Sequence, residues 1–421
     1  MGQLSALDAG VLIFYLGGLF AMGLYFSGKN SSTEEYFLGG RRFKGWVIGL
    51  SLVGTSISSI TFLAYPGDAF KTAWLRFLPN LMLPVAVLIT AKYFLPFLRR
   101  NNTTTAYEYL EFRFGPSIRV YGAVAFIVAQ VVRVSLILYL VSLVLQEITG
   151  LDATLCILIA GMVVSAYTII GGIDAVIWTD VIQTLVLLLG GAMCLFVVVE
   201  ALPGGFAQIL EVASSDGKLA FSELRGNELV PVAWSLSLQD KTISMMLMIG
   251  LISWLTEYSS NQNTVQRFCA SRSELEARKA IYICALVSIP TWAFFMFLGT
   301  ALYVFFQVFP APEATEILLG ERKAEQILPF FIIHHLPSGI VGLVVAATLA
   351  AAMSSLDSSI NAISTVSVSD IYRRHINKTS DDGHYLNVAR IVASAAGLMM
   401  ILGAVYLTNT QTKTLQDTAT I

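Results

Sequence analysis

Ten apolar runs, each of about 18 residues or more, divide this 421-residue chain, and their length bounds what it can fold into. A run of that length with few charges matches the hydrocarbon thickness of a bilayer when it is helical. With 56% hydrophobic and 13% charged residues and a mean hydropathy of +0.71, the chain is too apolar for a soluble domain. The expected class is therefore all-α, a polytopic membrane protein forming a single transmembrane domain. The first run, about 7–26, follows Asp8 instead of a basic region and lacks a small-residue cleavage site, so it reads as a retained helix, helix zero, and not as a signal peptide. Nine further spans follow at about 45–65, 73–98, 117–147, 151–170, 175–202, 242–263, 277–309, 326–367 and 385–408, numbered here 1 to 9.

Charge placement gives the expected orientation. Sixteen Lys and Arg fall in one set of alternate loops: Lys29, Arg41, Arg42, Lys44, Arg99, Arg100, Arg113, Arg119, Arg267, Arg272, Arg278, Lys279, Arg373, Arg374, Lys378 and Arg390. The opposite set holds eight: Lys71, Arg76, Lys218, Arg225, Lys241, Arg322, Lys323 and Lys413. By the positive-inside rule the first set is cytoplasmic and the amino terminus lies outside, in a cell inner (plasma) membrane. A net charge of −2 leaves no basic footprint for nucleic acid. Cys156, Cys194, Cys269 and Cys284 stand singly, without disulfide or zinc spacing. His334, His335, His375 and His384 form no metal-spaced set, and no Gly-rich phosphate cradle follows a strand, so an enzyme is not expected.

Two spans are interrupted by polar residues where the bilayer offers no hydrogen-bond partner. Span 1 carries "GTSISSITF" at 54–62, and span 6 carries "WLTEYSSNQNT" at 254–264. Polar breaks at corresponding places in two halves mark the binding site of an inverted-repeat transporter. Ionisable residues at membrane depth are functional candidates by default, and these are Lys92, Arg133, Asp180, Glu257 and Asp357. Lys92 can snorkel to the cytoplasmic end of span 2, whereas Arg133 lies halfway along span 3. In span 8, Ala351, Ser354, Ser355 and Ser358 stand at i, i+3, i+4 and i+7 on one stripe, with Asp357 beside it. Hydroxyls together with carbonyls freed by an unwound helix suit a hard cation such as sodium. Small hydroxylated residues also let membrane helices approach and bond across, and spacing leaves both readings open.

The segments "FLGGRRFKGWVIGLSLVGTSISSITF", "GGIDAVIWTDVIQT", "NQNTVQRFCAS" and "LPSGIVGLVVAATLAAAMSSLDSSINA" resemble, in order, the signatures of the sodium/solute symporter family. The resemblance covers about residues 7 to 408 and implies a LeuT-like five-plus-five inverted repeat preceded by helix zero. The first repeat would cover about 45–202 and the second about 242–408. Such a fold needs a tenth core helix, but "NTQTKTLQDTATI" after span 9 is polar and too short to cross, so the last core helix is expected to be missing. The resemblance also implies alternating access and a sodium ion held by the carbonyls of Gly54, Ile57 and Ala351 with the hydroxyls of Ser354 and Ser355. A second sodium site, present in some members, would draw here on Asp180 with Ser354 and Ser358 alongside. Asp357 departs from the Ser or Thr familiar there, and it would either strengthen that site or pair with Arg or Lys.

Arg133 in "QVVRVSLILYL" is similar to the Arg with which the family's bacterial sialic acid carriers clamp a sugar carboxylate. The resemblance then implies substrate contacts from Ser56, Ser58 and Thr61, with Asn80 where those carriers have Gln. Glu257 and Tyr258 occupy the neighbourhood of the sugar carriers' aromatic gate. The expected protein is a monomeric, lipid-embedded sodium symporter for a small solute, with a carboxylate-bearing sugar acid such as sialic acid foremost. A neutral sugar or polyol carrier and a non-transporting sensor are the alternatives, and sodium-dependent uptake separates carrier from sensor.

Overall fold

The computed structural model describes residues 4–100, 103–226, 228–237 and 241–409, with only the backbone at Arg100. The tail 410–421, which holds Lys413 and on which the expectation of a missing tenth helix rests, lies outside these residues.

Every expected span has a helical counterpart. Helix zero is α1, Ala6–Ser27, and span 1 is a pair, α2 (Gly45–Ser56) and α3 (Ser59–Lys71), bent by 57°. Spans 2 and 3 are α4, Trp74–Arg99, and α5, Pro116–Thr149. Spans 4 and 5 run together as α6, Ala153–Ala201, at 49 residues far longer than one bilayer crossing needs. They meet at Gly172, whose φ of 59° and ψ of −156° only glycine adopts readily, and where a Cβ would press on Tyr36. Span 6 is also a pair, α7 (Ile243–Ser260) and α8 (Gln262–Ala270). Spans 7, 8 and 9 are α9 (Glu274–Val308), α10 (Ile340–Ile376) and α11 (Asp382–Asn409).

Span 8 begins later than its apolar run suggests. Residues Ile327–His335 form a separate short helix, because Pro337 and Gly339, with φ of 91°, interrupt the run before α10. Asp8 of α1 then accepts from the backbone N–H groups of Gly339 and Gly342, both at 2.7 Å. A carboxylate thus caps the N-terminus of α10, where the helix dipole favours negative charge. α10 is the central helix, with 83% of its apolar stretch buried against 11% for α1.

The two ends of the bundle keep the alternation read from the charges. At one end Arg119 meets Asp370, Arg374 meets Glu111, Thr33 meets Asp382, and Arg99 donates to the Cys269 carbonyl. At the other, Lys218 donates to the carbonyls of Phe70 and Thr72 at 2.7 and 3.0 Å, capping α3, and burial pushes its ammonium down to about 8. Lys218 belongs to the outer segment, which forms a helix, Gly205–Ser215, and a hairpin, β1 (Ser222–Arg225) with β2 (Glu228–Pro231).

Glycines set the closest helix contacts, as bilayer interfaces require. A Cβ on Gly299 of α9 would collide with the Pro66 carbonyl of α3, and one on Gly250 of α7 with the Pro79 carbonyl of α4. A Cβ on Gly17 of α1 would meet nothing within 4 Å. Gly299→Ala and Gly250→Ala should each destabilise the protein by about 1–3 kcal/mol through overpacking, whereas Gly17→Ala should be neutral or slightly stabilising. Thermal unfolding in one detergent checks the order, and equal melting points for all three would reject the packing.

Candidate functional site

The break in span 1 creates the site. Ile57 (φ −102°, ψ 102°) and Ser58 (φ −102°, ψ 179°) are extended, so the last turn of α2 lacks its usual carbonyl partners. Backbone left this way at membrane depth needs polar company. It finds α10: Ser354 Oγ donates to the Gly54 carbonyl at 2.9 Å and lies 3.4 Å from the Ala351 carbonyl, while Thr55 and Ser358 hydroxyls stand 3.5 Å apart. Ser355 Oγ is buried and has no hydrogen-bond partner among the described residues. Gly54, Ala351 and Ser354 are therefore gathered as expected, with Ile57 at the break and an orphaned hydroxyl beside them. Carbonyl and hydroxyl oxygens in this arrangement fit a sodium ion.

The other expected ion ligands do not form one cage. Asp180 Oδ2 is 2.6 Å from Arg267 Nη2, with both side chains buried. The same guanidinium donates to Ser51 Oγ (2.7 Å), the Asn263 carbonyl (2.7 Å) and Ser358 Oγ. The Arg267 guanidinium thus stands between Asp180 and Ser358. Asp357 turns away from Asp180, toward Tyr167 and Thr179, whose hydroxyls lie 2.6 and 3.3 Å from its Oδ2. Arg267, counted above among the cytoplasmic loop residues, is instead 1% exposed inside the bundle. The sequence held a signal for it: a mid-span aspartate needs a partner, and Arg267 ends the polar run of the second broken span.

α8 explains that polar run. All nine residues from Gln262 to Ala270 are buried. Gln262 accepts from the Ala106 N–H and donates to the Thr104 carbonyl, at 2.8 and 3.0 Å. Gln266 donates to the Phe37 carbonyl, Asn361 and Thr365. Glu257 accepts from Asn261 (2.7 Å) and Thr264 (2.9 Å), bridging α7 to α8.

Four of the five expected substrate contacts surround the two breaks. Ser58 and Thr61 stand at i and i+3 on α3, and Tyr65 continues that stripe and takes a 2.9 Å hydrogen bond from buried Asn80 of α4. Ser56 reaches the Tyr258 hydroxyl on α7. Arg133 touches none of them. Its side chain is exposed, and no ion pair or hydrogen bond to it occurs among the described residues. Leu140, Val144 and Glu147, at i+7, i+11 and i+14 from Arg133, line a cavity of about 660 Å³ shared with Leu63 of α3, which places Arg133 on the stripe of α5 that faces α3.

Bent apolar helices, an ion-sized group of oxygens at a helix break and a cavity beside that break define a membrane carrier. The family model for the sodium:solute symporter family matches residues 36–419, and the chain belongs to that family: it is a sodium-coupled solute symporter and not an enzyme. It is 34% identical to the sodium/sialic acid symporter SiaT of Proteus mirabilis (strain HI4320), over 94% of this chain and 77% of the relative. To the sodium/sialic acid symporter NanT of Aliivibrio fischeri (strain ATCC 700601 / ES114) it is 31% identical, over 94% of this chain and 75% of that one. A solved structure of a Na+-coupled sialic acid symporter in a substrate-bound outward-open state superposes with a TM-score of 0.89 at 31% identity, covering 97% of this chain and 83% of that one.

Truncating Arg267 would leave Asp180 as a buried, unpaired charge. Arg267→Ala should cost about 3–5 kcal/mol of stability, and Arg267→Gln with Asp180→Asn together should recover most of it. Thermal unfolding of the three variants checks this, and a double variant no better than Arg267→Ala would show that the charge pairing is not what holds the seam.

Proposed function

We propose that this symporter imports a carboxylate-bearing sugar acid, sialic acid being the leading candidate, together with sodium bound by Gly54, Ile57, Ala351, Ser354 and Ser355. The observation that carries the substrate class is the isolation of Arg133. Its two candidate internal partners are taken: Glu257 by Asn261 and Thr264, and Asp357 by Tyr167 and Thr179. A guanidinium within a span and without an internal carboxylate is matched by a carboxylate on the ligand, which its planar fork grips bidentately. Ser56, Ser58, Thr61 and Asn80 offer neutral hydrogen bonds for the rest of a polar solute. The names of the sialic acid symporters among the relatives support the same class. With buried Arg267 set aside, fifteen basic residues against eight support an outside amino terminus, so that inward sodium movement gains about 2.3 kcal/mol per 100 mV of potential. The chain acts as a monomer in lipid.

Sodium coupling is tested at the two serines. Ser354→Ala and Ser355→Ala should each raise the sodium concentration for half-maximal uptake in proteoliposomes by about tenfold, the equivalent of about 1.4 kcal/mol. Unchanged sodium dependence in both would reject the site.

Arg133→Lys should weaken sialic acid binding by about 2–5 kcal/mol, while Ser58→Ala should lose about 0.5–1.5 kcal/mol. Titrating the wild type with sialic acid and with its methyl ester isolates the carboxylate. Equal affinity for the two would remove the clamp and favour a neutral sugar or polyol.

A further inference from the structure

At the basic end of the bundle, away from the break in span 1, a cavity of about 410 Å³ lies between the short helix Glu108–Phe114, the start of α5 and the end of α10. Four cations line it: Arg119, Arg373, Arg374 and Lys378. The winding of α10 gathers the last of them. Its final ten residues, Ser367–Ile376, are π-helical, and the i→i+5 pattern stacks Arg374 over Ser369, which also lines the cavity, with Arg373 beside it. In an α-helix, at about 100° per residue, Arg374 would point about 140° away from Ser369.

These cations outnumber the three carboxylates that border them. Glu111 accepts from Arg119 Nη1 at 2.7 Å and from Arg374 Nε at 3.0 Å, and Asp370 accepts from Arg119 Nε at 2.6 Å. Glu108 accepts from the backbone N–H groups of Thr104 and Thr105, at 2.8 and 3.1 Å. No ion pair to Arg373 or Lys378 occurs among the described residues. The Arg373 guanidinium lies over the Tyr385 ring, 5.0 Å from its centre, a contact that uses its face and leaves its N–H edge to a ligand.

The rim beside these charges is apolar. Phe112 on the short helix is 91% exposed and Phe114 just after it 63%, and Ile118 and Tyr121 of α5 are exposed as well. At the end of a membrane span, such side chains face lipid. A soluble anion would use the charges alone, whereas a phospholipid would use charges and rim together. Basic pockets between the ends of membrane helices suit phosphate headgroups, and the edge of an Arg matches phosphate oxygens. We infer that this cavity binds the phosphate of an anionic phospholipid, held by Arg373, Lys378 and the Ser369 hydroxyl, with its acyl chains along Phe112 and Phe114. The site is remote from the solute cavity: Arg119 and Glu147 lie at opposite ends of α5, about 42 Å apart.

Native mass spectrometry of the full chain in detergent tests this by titration with dioctanoyl phosphatidylglycerol, dioctanoyl phosphatidylcholine and glycerol phosphate. The wild type should bind the anionic lipid in preference to the zwitterionic one, and equimolar glycerol phosphate should not displace it. Lys378→Gln should weaken phosphatidylglycerol binding about fivefold, and Arg373→Gln with Lys378→Gln about thirtyfold, each cation adding a similar increment. Arg113→Gln, at the same end but outside the cavity lining, should change nothing. Lys378 is exposed in the loop after α10, so Lys378→Gln carries the test if the double variant does not fold. Equal affinity for the two lipids, or a loss that Arg113→Gln matches as a diffuse surface charge would require, overturns the site. Displacement by equimolar glycerol phosphate would assign the cavity to soluble phosphates and overturn the lipid.

Discussion

A guanidinium sealed from water dictates how the centre of this bundle is assembled. Arg267 cannot shed its charge, so its burial is tolerable only where the charge and most of its N–H groups are met. They are met by Ser51 on α2, Asp180 on α6, Asn263 on α8 and Ser358 on α10, at distances from 2.5 to 2.7 Å. Four elements far apart in sequence are thereby held in one register. The sodium-fitting oxygens lie on the same seam, since Ser358 also meets Thr55, and Ser354 meets Gly54 one turn away.

The same logic accounts for a fully buried helix at the heart of a membrane protein whose apolar stripe, Val265, Phe268 and Cys269, is matched by an equally buried polar one. α8 is short and flanked by breaks, so neither its ends nor its side chains can turn to lipid or water. Each exposed need is answered locally. Glutamines at 262 and 266 use both faces of their amides or several acceptors, and Arg99 brings positive charge to the Cys269 carbonyl, where the helix dipole ends. Against α3 and α4 the bundle closes chiefly by close approach at Gly299 and Gly250, with one hydrogen bond from Trp74 Nε1 to Thr300 Oγ1 (3.1 Å) joining α4 to α9. Polar seams and glycine seams thus divide the interior. The first hold the broken spans to α10, and the second hold α9 to α3 and α7 to α4.

Most of the fold could be read from apolar run lengths, because a bilayer admits few alternatives to helices and sets their length. Where length and breaks conflicted, reading was poorer. Residues 326–335 are apolar enough to join span 8, yet Pro337 and Gly339 separate them, a local backbone effect invisible to hydropathy. The Ala351, Ser354, Ser355 and Ser358 stripe was visible in helical spacing, while its pairing with the carbonyls of span 1 came from the family resemblance. Arg267 was not, because a census of basic residues counts positions and not burial, and Arg267 lies only four residues before the helix gives way at Ser271. Asp357 was visible as an oddity, but its direction depended on which side of α10 faces Tyr167, and that is set by packing with α6.

Two arginines at membrane depth meet opposite conditions, and the contrast bears on how selectivity can coexist with stability. Arg267 is dry and makes four hydrogen bonds, all within the protein, so its interactions are spent on holding helices together. Arg133 is exposed at the surface of the bundle, with no ion pair or hydrogen bond among the described residues. A carboxylate arriving there would lose water together with Arg133 and form its contact in a medium of lower dielectric, where a charge-assisted pair counts for more. A neutral solute would leave the guanidinium either wet or unmatched. On the proposed carboxylate clamp, the discrimination would come from the bound state and would draw nothing from the Arg267 seam.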